Sequence, residues 1–156
     1  MNKNTAVQLD EADIKILNAM LAMRETGYTA IGKNLGLTPA AVQKRVKRMR
    51  ARGIFLGTVP VLDLAKIGYG LTAIIKVSVS QGKLVEEAQR WTQKRNTCSV
   101  YRITGDYDII VIGKFKDMDE LNDFTTEMNR EGWVTKTNTS LTFQIAQESV
   151  NPKVIY

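Results

Sequence analysis

The stretch Leu35–Gly53, LGLTPAAVQKRVKRMRARG, holds six lysines or arginines and no acid. Thr38 is a good helix N-cap, and Pro39 suits the first helical position, where its missing N–H costs nothing. A helix from there to about Arg52, stopped by Gly53, puts Val42, Val46 and Met49 at i, i+4 and i+7, a single apolar stripe. At about 100° per residue the opposite face carries Ala40, Lys44, Lys47 and Ala51, flanked by Ala41, Gln43 and Arg48. The first turn is small and the later turns are basic. A helix entering the major groove of DNA needs this order, because bulk in the first turn holds the backbone away from the base edges. The basic residues beyond reach phosphates or guanines. A solvated basic face on an ordinary helical bundle has the same composition. The turn spacing, the missing acids and an uneven charge distribution together favour DNA.

Two flanking groups have other uses. Arg45 lies beside the apolar stripe and is expected to pack its stem there and pair with an acid of the first helix, such as Asp13. Arg50 and Arg52 sit near the helix C-terminus, where cations suit the dipole.

Upstream, Leu9–Asp13 reads as a helix start: Asp10 can cap, and Glu11 and Asp13 suit the positive helix end. Ile14, Leu17, Met20 and Leu21 continue it, and Arg24–Gly27 reads as a loop. A short second helix fits Thr29–Leu35, with Thr29 as its cap and, at a helix N-terminus, as a candidate phosphate contact. Short helix, the turn Gly36-Leu37-Thr38, then a longer basic helix is the helix-turn-helix pattern.

The charge count agrees. Residues 1–60 contain 10 basic and 4 acidic side chains, and residues 61–156 contain 12 of each, so the whole formal net charge of +6 lies in the first part. A polyanion-binding half joined to a neutral half is the natural reading. A membrane surface would also attract it, but surface-lying helices need a broad apolar face with large aromatics, and this half has only Tyr28 and Phe55. No apolar run approaches the roughly 20 residues that cross a membrane, and the start Met1–Gln8 is polar, so a soluble cytoplasmic protein is expected. There is no histidine and one cysteine, Cys98. That weighs against zinc sites, disulfide frameworks and the usual nucleophile–base pairs. With no glycine-rich phosphate loop either, neither an enzyme nor a cofactor is expected.

Ile54–Val61 is β-like but short, and Pro60 marks it as an edge or a linker. Asp63–Gly70 reads as a loop or brief helical turn. Beyond it the pattern alternates strand and helix. Thr72–Ser80 alternates, with Ile75, Val77 and Val79 to one side. A helix after Gly82 aligns Leu84, Ala88 and Trp91. Thr97–Thr104 and Asp108–Lys114 are strands, the second apolar enough for a central position or an oligomer interface. Asp117 with Glu120 forms a capping box. Its helix continues through Met128 to Gly132, and Val134–Gln147 is a long last strand. The order β-α-β-β-α-β is the ferredoxin-like arrangement. It gives a four-stranded antiparallel sheet with helices on one face, so the other face needs a cover, which points to self-association. The fold class is α+β, with a helix-turn-helix (winged-helix-like) domain over residues 1–56, a hinge strand and linker over 57–70, and a ferredoxin-like domain over 71–156.

Four segments in register, LDEADIKIL, LGLTPAAVQKRVKRMRARGI, TGDYDIIV and VTKTNTS, resemble the hallmarks of the Lrp/AsnC, or feast/famine, transcription regulators. The tail QESVNPKVIY resembles archaeal-type members. The resemblance implies dimers on double-stranded DNA, with the strand after the helix-turn-helix paired between subunits. It also implies ferredoxin-like (RAM) domains that assemble dimers into tetramers or octamers, and a free amino acid or related metabolite bound between dimers. The helical wheel and the two helix starts, read from the residues themselves, make Thr29, Thr38, Ala40, Ala41, Gln43, Lys44, Lys47 and Arg48 the candidate DNA contacts. The resemblance adds the effector site, with contacts on Thr104, Gly105, Asp106, Tyr107 and Asp108, and on Thr137 and Thr139 of the last strand. From the residues alone, Gly105-Asp106-Tyr107-Asp108 offers carboxylates for an ammonium and backbone donors for a carboxylate, or is an ordinary tight hairpin. The sequence departs from the family's Gly-Val at Gly132-Trp133-Val134, and the inserted indole is expected to reshape an interface or pocket. A ligand-independent architectural protein that wraps DNA is the alternative function.

Overall fold

The computed structural model describes residues 8–23, 27–149 and 151. The loop expected at residues 24–26 and the end of the tail lie outside them. The chain divides into two compact units, one comprising the residues up to Val61 and the other Leu62–Glu148.

The first unit has three helices, α1 (Glu11–Met23), α2 (Tyr28–Leu35) and α3 (Pro39–Ala51). Asp10 caps α1 as expected, its carboxylate accepting from the Asp13 N–H at 2.8 Å. The cap of α2 is a correction. Gly27 occupies that position with no side-chain cap, and Thr29 lies one residue inside the helix, exposed. The turn between α2 and α3 needs two glycines. Gly36 has φ 66° and donates its N–H to the Gly32 carbonyl. A Cβ on Gly32 would stand 2.5 Å from the Leu37 carbonyl oxygen, inside contact distance. Ile16, Ile31, Val42, Val46 and Met49 are buried in one cluster, so the three-residue stripe read for α3 is the one that packs.

Ile54–Leu64 forms no strand, and Leu56, Val59, Val61 and Leu62 are well exposed. Within one chain these N–H and C=O groups meet no ladder partner; the Ile54 and Phe55 N–H groups turn back to the Met49 carbonyl instead. A brief 3-10 turn comes next, at Ala65–Ile67.

The second unit runs β1 (Leu71–Val79), α4 (Leu84–Trp91), β2 (Thr97–Arg102), β3 (Ile109–Phe115), α5 (Met118–Asn129) and β4 (Val134–Leu141). The sheet is antiparallel in the order β2-β3-β1-β4, so the apolar β3 is central. Ala73, Ile75, Val77, Ile109, Val111 and Phe115 meet Trp91, Leu121, Phe124 and Met128 of the helices. Trp91 and Phe115 each pack on Phe124, with ring centroids 5.0 and 5.2 Å apart. Asp117 caps α5 through the Glu120 N–H at 2.8 Å, and the Glu120 carboxylate reaches back to the Lys116 N–H at 2.7 Å. β4 is shorter than the expected Val134–Gln147. Its partner β1 begins at Leu71, the register ends at Ala73–Leu141, and the Thr142 N–H to Thr72 carbonyl bond is the last between them. Residues 142–149 form no strand. Instead Glu148 takes the Lys114 ammonium at 2.9 Å, and Lys114 also donates to Thr72 at 3.0 Å on the helix-free side of the sheet.

Candidate functional site

The DNA-facing candidates gather on α3. Thr38 holds the helix start with its hydroxyl, accepting from the Ala41 N–H at 3.2 Å. Ala40, Gln43, Lys44 and Lys47 are exposed, Ala41 is half-buried, and Thr29 is exposed in the first turn of α2. Among the described residues neither Lys44 nor Lys47 has an acidic partner.

The arginines are placed differently. Arg45 lies 2.6 Å from Asp10 and 2.9 Å from Asp13. Arg48 lies 3.0 Å from Asp10 and 2.6 Å from Asp13. The four groups close a neutral cluster between α1 and α3. The Asp13 carboxylate is fully buried at its base, while Arg48 keeps 48% of its side chain exposed. The Arg45 guanidinium foremost, then the Asp13 N–H and Arg48, holds the Asp10 carboxyl well below the usual carboxylate range. Both guanidiniums are pushed up, Arg45 mainly by Asp10 and Arg48 mainly by Asp13. Arg52 donates to the Gln8 carbonyl at 3.1 Å, and Arg50 lies 5.4 Å from the Phe55 ring centroid. The pairing expected for Arg45 is present. That of Arg48 with Asp10 is additional, and a helical wheel cannot show it, because a wheel carries no information about which helix packs alongside.

The second candidate is the loop between β2 and β3. Thr104, Gly105 and Asp106 are exposed, and Gly105 adopts φ 113°, which favours glycine. The Asp106 carbonyl accepts from the Ser78 hydroxyl at 3.2 Å. Its carboxylate has no partner among the described residues. The Asp108 carboxylate accepts from the Val79 N–H at 2.9 Å, where the β1–β4 register shifts. Tyr107 lies between Lys76 and Lys136, whose ammonium groups are 5.5 and 4.7 Å from its ring centroid. The loop therefore presents a carboxylate with no partner among the described residues and an aromatic ring with two lysines against it.

Within one chain Thr137 and Thr139 stand apart from this loop. β1 intervenes: Ile109 pairs with Val77, and Val77 with Thr137, so two strand spacings, roughly 10 Å, separate the segments. Directly paired residues share a face. Val77 and Ile75 face the helices, so Thr137 and Thr139 do too, and Thr137 donates to Asn129 at 3.1 Å.

Trp133 turns inward. Its indole donates to the buried Glu87 carboxylate at 2.7 Å, and the Trp91 indole donates to the other oxygen. The Lys83 ammonium sits 5.4 Å from the Trp133 ring centroid. Among the described residues no cluster of acids and thiols fits a metal ion, and no helix is long and apolar enough to cross a membrane.

Residues 9–50 match the AsnC-type helix-turn-helix domain, and residues 72–151 match the Lrp/AsnC ligand binding domain. An uncharacterized HTH-type transcriptional regulator of Pyrococcus horikoshii is 38% identical over 144 residues, covering 91% of this chain and 96% of the relative. The HTH-type transcriptional regulator FL11 of Pyrococcus furiosus is 29% identical, covering 90% of this chain and 93% of its own. Among solved structures, AsnC of E. coli superposes with a TM-score of 0.83 at 21% identity, over 95% of this chain and 100% of that one. A transcriptional regulator of Neisseria meningitidis, solved as its L-Met complex, also gives 0.83, at 22% identity over 92% and 95% of the two chains.

Proposed function

The chain belongs to the Lrp/AsnC family of DNA-binding transcription regulators, and from that premise we propose a regulator that reads DNA with α3 and answers to a free amino acid at the β2–β3 loop. The observation that carries the first part is the face of α3. Lys44 and Lys47 project, with no acidic partner among the described residues, beyond a first turn of alanines, the arrangement that lets a helix approach base edges and then meet phosphates. Ala40, Ala41 and Gln43 lie against the bases, and Thr29 and Thr38 bond the backbone from the two helix starts.

The effector reading rests on the loop. Asp106 offers its free carboxylate to the ammonium, and the backbone at Gly105 and the hydroxyl of Thr104 take the carboxylate. Tyr107 lines the site, and Asp108 holds the loop to β1. Thr137 and Thr139 enter it from a second dimer, because within one chain they face away. The exposed apolar run at residues 56–62 pairs between two subunits in the dimer, and dimers join into tetramers or octamers. The L-Met complex of the Neisseria protein supports an amino acid as the class of effector. The site of action is the cytoplasm.

The test combines two titrations. Fluorescence anisotropy on an operator selected from random duplexes should show sequence preference that Lys44→Ala and Lys47→Ala weaken. A thermal-shift screen of the free amino acids should show one class that raises the melting temperature, because a ligand of the native state stabilises it. DNA binding with no sequence preference and no amino-acid effect would favour an architectural role.

A further inference from the structure

Of the six basic side chains on α3 and its C-cap, two form a closed cluster with acids of the N-terminal segment. Arg45 is turned toward α1 and 30% exposed. Arg48 is different. It sits on the flank of the reading face, nearly half exposed, and its guanidinium is shared between Asp10 at 3.0 Å and the buried Asp13 at 2.6 Å. α3 does not need Arg48 to hold its place: Val42, Val46 and Met49 are buried in the core, and Thr38 fixes the helix start. Arg45 already bridges both acids. The second arginine neutralises the cluster and, in doing so, ties up a cation beside the DNA-reading face.

We propose that Asp10 is a negative determinant of DNA affinity: with Asp13 it withholds the Arg48 guanidinium from the phosphate backbone, so that Lys44 and Lys47 carry the electrostatic contact. This rests on α3 being the reading helix. An exposed carboxylate and a DNA phosphate offer a guanidinium the same charged, two-oxygen acceptor. Asp10, tethered 38 residues away in sequence and in direct contact, has the advantage of proximity. With its charge removed, Asp13 alone is left to balance two guanidiniums, and the exposed one, Arg48, turns to phosphate.

Asp10→Asn tests this with the least disturbance, because Asn caps helices as well as Asp and keeps the bond to the Asp13 N–H. Binding to a short random-sequence duplex is followed by anisotropy across a salt series. One added phosphate contact steepens the log–log slope by about 0.9, which over the decade below 1 M salt is about eightfold in affinity at 0.1 M. The gain should vanish when Arg48→Ala is the background. Unchanged or weaker binding by a folded Asp10→Asn protein would overturn the proposal. So would a gain that persists undiminished without Arg48, since it would then be a diffuse charge effect. Asp10→Ser, a second capping residue, repeats the test, and loss of the folded helical unit in both variants would make the cluster structural and also overturn it. The double variant Lys44→Ala/Lys47→Ala reports on the premise separately: an unaltered salt slope there removes the exposed face of α3 as the DNA contact, whatever Asp10 does.

Discussion

Two carboxylates are buried among the described residues, one in each unit, and their company differs. Asp13 in the helical unit lies between two guanidiniums, both partly in water. Glu87 in the sheet unit lies between two indole N–H groups and has no ion pair among the described residues. A partly hydrated guanidinium can be claimed by a stronger anion, whereas an indole donates to one fixed place. The helical unit thus couples its packing to the charge it offers DNA, and the sheet unit holds its internal acid with neutral donors.

The largest effect should come from removing the shared acid. Asp13→Ala leaves Arg45 and Arg48 with Asp10 alone and should cost about 3 kcal/mol, the low end for a broken buried pair because both guanidiniums retain water. Both tryptophans of the chain, Trp91 and Trp133, belong to the sheet unit. Denaturation followed by far-ultraviolet circular dichroism should therefore lose its helical-unit component early, while tryptophan fluorescence keeps the wild-type midpoint. Coincident shifts in both signals would break the comparison, since the units would then unfold together.

Glu87→Gln sharpens the contrast from the other side. One amide oxygen still accepts an indole, but the amide nitrogen now faces a second donor. The loss should be about 1–2 kcal/mol, the usual penalty for an unsatisfied buried donor, and here the fluorescence transition should move and the helical one should not. A wild-type midpoint would mean that the indole bonds contribute little.

Acid should separate the units as well. Asp10 titrates well below its ordinary 3.8 in the folded chain, so as the pH falls the unfolded chain binds the proton first. The contribution of Asp10 is present above about pH 4 and fades as the pH falls through the folded value. Urea midpoints of the helical unit should decline over that range, and Asp10→Asn should flatten the decline. An equal slope in the variant would remove Asp10 as its cause.

Much of the architecture is readable in the residues, and the reasons for the rest are physical. The stripe Val42-Val46-Met49 follows from helical period alone, and the caps at Asp10, Thr38 and Asp117 follow from side chains that bond to the N–H three residues on. The alternation of β1 and the apolar run of β3 are enough for the sheet and the central place of β3. Pairings across helices are beyond such reading, because Arg48 and Asp10 meet only once α1 has packed on α3. Glu87 has the look of a solvated charge in sequence, although its place four residues before Trp91 on the apolar side of α4 is a usable signal. Gly27 instead of Thr29 as the cap of α2 depends on backbone angles, and the end of β4 at Leu141 depends on where its partner strand begins. Gly32 in sequence is only a helix weakener, and the tertiary approach of Leu37 explains it.

The smaller effects fall on exposed groups. Lys47→Ala should leave both unfolding transitions within about 0.5 kcal/mol of wild type and reduce the salt slope of DNA binding by roughly 0.9 for each phosphate it no longer neutralises. A normal slope would take Lys47 off the phosphate backbone.

The smallest expected change in the unliganded protein is that of Asp106→Ala, and it bears most directly on the two-unit division. The side chain is exposed and has no partner among the described residues; the loop is held by the Asp106 carbonyl on Ser78 and by the Asp108 carboxylate on Val79, and neither needs the Asp106 carboxylate. Stability should therefore stay within about 0.5 kcal/mol of wild type, and DNA affinity without ligand should be unchanged, since α3 belongs to the other unit. What should disappear is the calorimetric heat of amino-acid binding, because the ligand's ammonium loses its anionic partner and about 2–5 kcal/mol with it. Asp108→Ala makes the useful contrast: it removes the acceptor of the Val79 N–H, so it should disturb the loop and the end of β1 even with no ligand present. Wild-type ligand affinity in Asp106→Ala would end the role given to that carboxylate. Loss of DNA binding in the same variant would show instead that the loop holds subunits together and that the two units do not keep their tasks apart.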